Sequence, residues 1–171
     1  MQPGRRRTVS ALSPSHEHYL RAIWDAREEQ GYARVTDVAE RLGLSHATVS
    51  VGLRPLEARG LINHDARRFL RLTQAGERLA REVHHRHSVL LRFLCDVLAV
   101  DAETAEQEAC LLEHDVSGST TERLVDLLRL LHEDSTLRTS LRSRLSAYHR
   151  SCSPSDRCAT CGLACLTPPP Q

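Results

Sequence analysis

Two short helical patterns joined by a glycine turn, within VTDVAERLGLSHATVSVGLRPLEARGLI, constrain the fold of this chain most. Thr36 is expected to cap the first helix, Gly43 to form the turn, Ser45 to cap the second helix and Gly60 to end it. Apolar residues recur at helical spacing in both segments. The pattern is typical of a helix-turn-helix, and an αα-corner without a ligand is the alternative interpretation.

The polar residues of this region predict contacts with double-stranded DNA. Near its N-terminal half, where a recognition helix meets base edges, the second helix exposes Ser45, His46, Thr48, Ser50 and Arg54. After Leu61, apolar residues alternate around a charged turn, which predicts a two-stranded β-wing. Arg67 and Arg68 at the tip of this wing are predicted phosphate contacts.

The rest of the chain is predicted to be helical, so the fold class is mainly α. A first helix opens at Ser13-Pro14-Ser15 and stops at Gly31, and a long helix runs from Thr73 to about Ala99 because its leucines keep a helical period. Asp101 caps the next helix, a leucine-rich helix after Gly118 suggests a homodimer seam, and a last helix runs to about His149.

The segment EACLLEHDVS places three metal-ligand side chains together. Cys110, Glu113 and His114 stand at i, i+3 and i+4, so in a helix they leave one face. Cys and His are ligands that late first-row divalent ions prefer, whereas the carboxylate is also compatible with Fe(II) or Mn(II). Leu111 and Leu112 predict that the other faces are packed, so a satisfied core His–Glu pair with a bystander thiol is the alternative.

Charge is unevenly spread along the chain, although the net charge is only +1. Residues 1–80 carry 13 arginines against 9 acidic residues, whereas residues 81–171 carry 10 arginines against 13. A basic front half suits nucleic acid. No apolar run approaches the roughly 18 residues of a membrane span, and the arginines of the N-terminus have no apolar stretch after them. We therefore expect a cytoplasmic protein without membrane contact.

Four of the six cysteines lie in the last twenty residues, at Cys152, Cys158, Cys161 and Cys165. In a chain without a secretory signal this clustering favours metal or redox chemistry over structural disulfides. The four thiols could surround one Zn(II) or an iron–sulfur cluster, and a reduced tail without ligands is the alternative.

In order, these parts resemble the diphtheria-toxin-repressor family of metal-dependent bacterial repressors, which includes iron and manganese sensors. The match runs from about Ser15 to Leu131 through EHYLRAI, VTDVAERLGLSHATVS, LEARGLI, LTQAGERLA and EACLLEHDVS. The chain is too short for the SH3-like third domain of the large iron repressors, so it is similar to the short two-domain class.

The resemblance implies a ligand set for a divalent metal. The first-helix ligand of the family, usually Met or Asp, falls on His18, and its later ligands fall on His87, Cys110, Glu113 and His114. Two departures stand out: a glutamate of the manganese sensors is Arg21 here, and another carboxylate of the family is Leu91. A two-metal manganese site is therefore incomplete, and Cys110 resembles the iron-sensing branch.

The sequence thus predicts a homodimeric, metal-dependent repressor that binds a DNA operator and controls iron or manganese homeostasis genes. Fe(II) is the favoured ion, with Mn(II), Zn(II) or Co(II) as alternatives, and no small-molecule substrate is expected. The predicted regions are a disordered basic arm (1–12), a winged helix-turn-helix (13–80), a helical metal-binding and dimerisation domain (81–149) and a Cys-rich tail (150–171).

The sequence leaves two other functions as alternatives. An iron–sulfur or thiol redox sensor would use the tail cysteines as its switch. An enzyme with Cys110 as nucleophile and His114 as base is disfavoured, because both lie on one helix with no evident oxyanion donors.

Overall fold

A computed structural model of the protein describes residues 12–151, with side chains to residue 147. The basic arm before Leu12 and the four tail cysteines lie outside the described residues. The described elements, in chain order, are α1 (Pro14–Gln30), α2 (Val35–Leu42), α3 (His46–Ala58), β1 (Ile62–His64), β2 (Leu70–Leu72), α4 (Gln74–Arg92), a π-helical turn (Phe93–Val97), α5 (Ala102–Leu112), α6 (Gly118–Glu133) and α7 (Ser135–Ser151). The mainly α fold class is confirmed.

The helix-turn-helix is α2 and α3, packed on α1. The Ser45 hydroxyl caps α3 by accepting from Thr48 N at 3.0 Å, and Gly43 makes the turn at φ +63°. The apolar side of both helices meets α1 in one buried core, whose most buried large side chains include Leu20, Ile23, Val38, Val49, Leu53 and Leu56. Gly52 lies so close to the Tyr19 ring that a Cβ there would overlap it.

The start of α2 differs from the prediction. Thr36 lies inside the helix rather than capping it, because the helix begins at Val35 after Arg34. The Asp37 carboxylate reaches back and accepts from Arg34 N at 2.8 Å, so Asp37 satisfies the free N–H group at this end.

The predicted wing is confirmed as an antiparallel pair with Ile62 opposite Leu72. Asp65 holds its tip, since its carboxylate accepts from the backbone N–H groups of Arg67 and Phe69, both at 2.9 Å. Arg68 adopts a left-handed conformation at φ +62°. The two arginine side chains at the tip are exposed.

The long fourth helix does not run unchanged to Ala99 as predicted. It passes at Phe93 into a π-helical turn, in which Leu98 N donates to Phe93 O at 3.2 Å. The extra residue in this turn shifts the phase of the helix. Leu98, which the leucine spacing predicted to be packed, is 45% exposed, whereas Val97 is buried.

A second core joins α4, the π-helical turn and α5 through Leu90, Leu94, Ala105 and Ala109. Leu111 and Leu112 were predicted to be packed, but they are exposed by 74% and 43%. On α6, Leu131 is buried whereas Leu130 is 51% exposed. None of the helices in the described part of the chain is long and apolar enough to cross a membrane.

Candidate metal centre

Three helices bring the predicted ligands into one cluster. His18 comes from α1, His87 from α4, and Cys110, Glu113 and His114 from the C-terminal end of α5 and the turn after it. The His18 Nε2 atom lies 2.7 Å from His114 Nε2, 3.2 Å from Cys110 Sγ and 3.6 Å from Glu113 Oε1. Four donor atoms thus face one another, although His18 precedes the other three residues by 92 or more positions in the chain.

Glu113 is the most unusual member of the cluster. Its side chain is fully buried, and neither carboxylate oxygen has a hydrogen-bond partner among the described residues. His87 Nδ1 lies 2.8 Å from Glu113 Oε2, yet the two atoms do not meet hydrogen-bond geometry. A buried carboxylate without such partners is costly unless a cation compensates it.

The donor set therefore fits a transition-metal ion. Imidazole nitrogen, thiolate sulfur and carboxylate oxygen are the ligand types that late first-row divalent metals take. The ligand atoms of His18, Cys110 and Glu113 all lie within 4.8 Å of one another. His114 Nε2 is also 3.6 Å from Glu113 Oε1, which adds a fourth donor to the same space.

Glu17 and Arg86 orient the cluster from outside. His114 Nδ1 lies 2.8 Å from Glu17 Oε2, so a proton on Nδ1 leaves the Nε2 lone pair turned toward His18. Arg86 contacts the same Glu17 oxygen at 3.1 Å and donates through Nε to the backbone carbonyl of Glu113 at 2.8 Å. One arginine of α4 thereby links α1 to the end of α5.

Arg21 enters the cluster from α1, three residues after His18. Its guanidinium lies 3.5 Å from Cys110 Sγ and from Glu113 Oε1, and 3.7 Å from Glu106 Oε1. Glu106 also contacts His87 Nε2 at 3.1 Å.

Burial disfavours charge on two of the ligand side chains. It lowers the pKa of His18, and the neighbouring His114 lowers it further. It also raises the pKa of the Cys110 thiol, with the Arg21 guanidinium opposing the rise. The His18 imidazole is thus held neutral, the form that ligates a metal, whereas the thiol must lose its proton to do so.

Sequence reasoning missed the parts that Glu17, Arg86 and Glu106 play. A signal for Glu106 was present, because Glu106, Cys110 and Glu113 stand at i, i+4 and i+7 on one helical face. His84, which precedes His87 by three residues on α4, pairs instead with Asp25 at 2.7 Å.

The predicted DNA contacts lie on α3, at its N-cap and on the wing. Ser45, His46, Thr48 and Arg54 are exposed and Ser50 is half-buried. The Ser45 hydroxyl is engaged in the cap of α3, which leaves it less free than predicted. Val51 was not singled out, yet it is 59% exposed on the same helix.

Two family models match successive parts of the chain. Residues 11–70 match the family model of the iron dependent repressor, N-terminal DNA binding domain. Residues 73–138 match the model of the iron dependent repressor, metal binding and dimerisation domain. The HTH-type transcriptional regulator MntR of Bacillus subtilis strain 168 is 31% identical over 131 residues, covering 77% of this chain and 92% of that protein.

The chain belongs to the iron-dependent repressor family. The resemblance drawn from the sequence is thereby confirmed, and the family places the chain among metal-dependent transcriptional repressors with DNA-binding and dimerisation domains. The diphtheria toxin repressor of Corynebacterium glutamicum is 35% identical over 121 residues, which cover 71% of this chain and 53% of that protein.

Solved structures of repressors share the fold. The manganese regulator SloR is 30% identical, with a TM-score of 0.61, over 69% of this chain and 55% of that one. A manganese-dependent transcriptional repressor in complex with manganese is 34% identical, with a TM-score of 0.60, over 66% and 52% of the two chains. This chain spans about half the length of these solved proteins.

Proposed function

We propose that this member of the iron-dependent repressor family is a cytoplasmic, homodimeric repressor whose operator binding is switched on by one transition-metal ion. The genes under its control would serve iron or manganese homeostasis, as the metal requirement suggests. The observation that carries the proposal is the convergence of His18 with Cys110, Glu113 and His114, with 2.7 Å between the two imidazole Nε2 atoms.

The position of His18 gives this convergence a consequence for DNA binding. His18 lies on α1, the helix on which α2 and α3 pack, whereas the other three ligands lie at the end of α5. A bound divalent cation would supply one positive centre that accepts lone pairs from His18 of α1 and from the three side chains at the end of α5. His18 thereby fixes the orientation of α1, and with it α3, relative to the dimerisation region.

In a dimer, the orientation of α1 determines the spacing of the two recognition helices. The two half-sites on DNA are about one helical turn, or a multiple of it, apart. Only one spacing of the recognition helices therefore lets both helices contact their half-sites at once. Metal affinity and operator affinity are then coupled in both directions. Ser45, His46, Thr48, Ser50 and Arg54 would face the bases, and Arg67 and Arg68 the phosphates.

The donor set supports Fe(II), Co(II) or Zn(II) over Mn(II), since a thiolate is a softer ligand than a carboxylate. The manganese named for several relatives is a property of those proteins. The redox-sensor alternative rests on the tail cysteines, which lie outside the described residues, and the family membership does not favour it.

Operator binding measured against metal tests the proposal. A duplex is first selected from a random-sequence pool with the full-length protein and Co(II). Affinity for that duplex is then measured by fluorescence anisotropy in chelator and in Fe(II), Mn(II), Zn(II) or Co(II). We expect tight binding only with metal. Equal affinity in chelator and in every metal would contradict metal activation.

A further inference from the structure

Val51 is an exposed apolar residue on α3, the helix that carries the predicted base contacts. It is 59% exposed, whereas Val49 and Leu53, two residues to either side of it, lie in the core. Helix formation does not favour a valine here, because a β-branched side chain lowers helix propensity. A single exposed apolar side chain needs no explanation by itself. The place of Val51 on the helix and the state of its polar neighbours, however, point to a contact outside the chain.

Val51 lies on the side of α3 that faces away from the protein. Ala47, Val51 and Arg54 stand at i, i+4 and i+7, so they share one helical face, and all three are exposed. The buried residues of the helix occupy the opposite face: Val49, Leu53 and Leu56. A recognition helix lies in the major groove and presents its outward residues to the base edges. Val51 is therefore the middle residue of the face that would meet the bases.

Two of the predicted polar base contacts bond each other instead of standing free. The Ser45 hydroxyl lies 2.8 Å from the Thr48 hydroxyl and also accepts from Thr48 N at 3.0 Å. Both hydroxyl groups are thus engaged in the cap of α3, and Ser50 is half-buried. The outward face before Arg54 consequently offers the methyl groups of Ala47 and Val51 rather than hydrogen-bonding groups.

The major groove presents one apolar group that suits such a face, the C5-methyl group of thymine. The other groups that distinguish the base pairs there are hydrogen-bond donors and acceptors, which a valine side chain cannot satisfy. We propose that Val51 contacts the C5-methyl group of a thymine in each operator half-site and thereby sets a preference for thymine at that position. This inference rests on the proposed function, because it assumes that α3 enters the major groove of an operator.

Removing the methyl group from the operator, and nothing else, tests the contact. The duplex is the one selected from a random-sequence pool with the full-length protein and Co(II). Each thymine of the half-site is replaced in turn, in both half-sites, by deoxyuridine, which forms the same base pair but lacks the methyl group. Fluorescence anisotropy measures the affinity of each duplex. At one position the affinity should fall by about fourfold per half-site, because burying one methyl-sized group contributes about that factor.

Val51→Ala should abolish the sensitivity to that one replacement. The variant lacks both methyl groups of the valine side chain, and it should fold because alanine is the better helix former at an exposed position. Its affinity for the thymine duplex and for the deoxyuridine duplex should be equal, whereas the other thymine replacements should act alike on variant and parent. Leu137→Ala is the matched control, because Leu137 is an exposed apolar residue on α7, outside the DNA-binding region, and this variant should keep the methyl sensitivity of the parent.

The outcomes distinguish this inference from the proposed function. Failure to select any duplex would overturn both. Metal-activated binding in which no thymine methyl group matters, or in which the methyl effect is as large in Val51→Ala as in the parent, would overturn the role of Val51 and leave metal activation standing. Methyl sensitivity that disappears in Val51→Ala, in a protein that binds equally well in chelator, would support the role of Val51 and contradict metal activation.

Discussion

Glu113 is the residue on which the metal centre depends most. It is fully buried at the end of α5, and both of its carboxylate oxygens lack hydrogen-bond partners among the described residues. His114 follows it and contacts both His18 and Glu17. In the proposed site, Glu113 would supply a carboxylate oxygen and His114 an imidazole nitrogen, so the two would have separate roles.

Glu113→Gln and His114→Ala should each abolish metal-stimulated operator binding while the dimer stays folded. The loss should exceed roughly 100-fold, because even groups that only orient metal ligands are worth roughly 10–100-fold. Anisotropy titrations with metal measure it, and circular dichroism with sedimentation checks folding and assembly. Glu108→Gln, an exposed glutamate on the same helix, is the control and should bind as the parent does. Unchanged operator affinity in either site variant would remove that residue from the ligand set.

Cys110 should determine which metal ions activate operator binding at the lowest free concentration. We expect Fe(II), Co(II) or Zn(II) to activate operator binding at lower free concentration than Mn(II), because the thiolate favours softer ions. Cys110→Glu exchanges sulfur for a hard oxygen and should shift the order toward Mn(II). The free metal concentration that gives half-maximal operator binding is measured for the parent and for Cys110→Glu in metal-buffered solutions. Activation of the parent by Mn(II) at the lowest concentration would contradict the softness argument.

At the scale of elements, α3 and the wing present different chemistry to a duplex. The exposed polar side chains of α3 can read base edges, whereas the wing tip offers two exposed arginines on a turn held by Asp65. Base contacts carry sequence information and phosphate contacts carry affinity. The two elements should therefore respond differently to substitution.

Replacing Arg67 and Arg68 by Ala should weaken operator binding without changing its sequence preference. The slope of log affinity against log salt should fall by about two, since each phosphate contact contributes about 0.9. Affinity at several salt concentrations measures the slope, and His46→Ala is the comparison, expected to alter preference and keep the slope. An altered sequence preference with an unchanged salt slope in the wing variant would show that the wing, and not α3, reads the bases.

Gly52→Ala should destabilise the packing of α3 on α1. A Cβ at this position overlaps the Tyr19 ring, and overpacking of this kind costs about 1–3 kcal/mol. Urea unfolding measures the free energy of unfolding. Gly118→Ala is the control, because a Cβ there meets nothing within 4 Å, and it should stay within about 0.5 kcal/mol. Equal stability of the two variants would show that Tyr19 moves aside freely.

At the scale of the whole molecule, the Cys-rich tail (150–171) is a second region with predicted metal chemistry. We expect Cys152, Cys158, Cys161 and Cys165 to form a second, sulfur-rich site that tunes operator binding without creating it. Iron, zinc and sulfide per chain are measured in anaerobically purified protein, and again after deletion of residues 151–171. The deletion should lower the metal content and leave metal-activated operator binding in place. Equal metal content would mean that the tail binds nothing.

Also at this scale, the boundaries proposed at residues 12, 80 and 149 stay predictions. The described residues do form two buried clusters, one around α1 to α3 and one around α4 and α5. The ligand cluster lies where α1 meets α5, so residues of both regions are needed to complete it. A metal centre at such a junction can couple the two regions, which neither could achieve alone.

The sequence by itself determined the local parts: the caps at Ser13, Ser45 and Asp101, the glycine turn, the wing, and the shared face of Cys110, Glu113 and His114. These follow from hydrogen bonds and spacings within a few residues, which periodicity reports directly. Only the tertiary structure decided that Glu17 and Arg21 of α1, Arg86 of α4 and Glu106 of α5 meet in one place. In the sequence, Glu17 and Arg86 are ordinary charged residues of helices, because their partners are brought near only when α1, α4 and α5 pack. The π-helical turn was likewise not predicted from the sequence, which indicated an unbroken helix to about Ala99 with Leu98 on its packed side, whereas Leu98 is exposed.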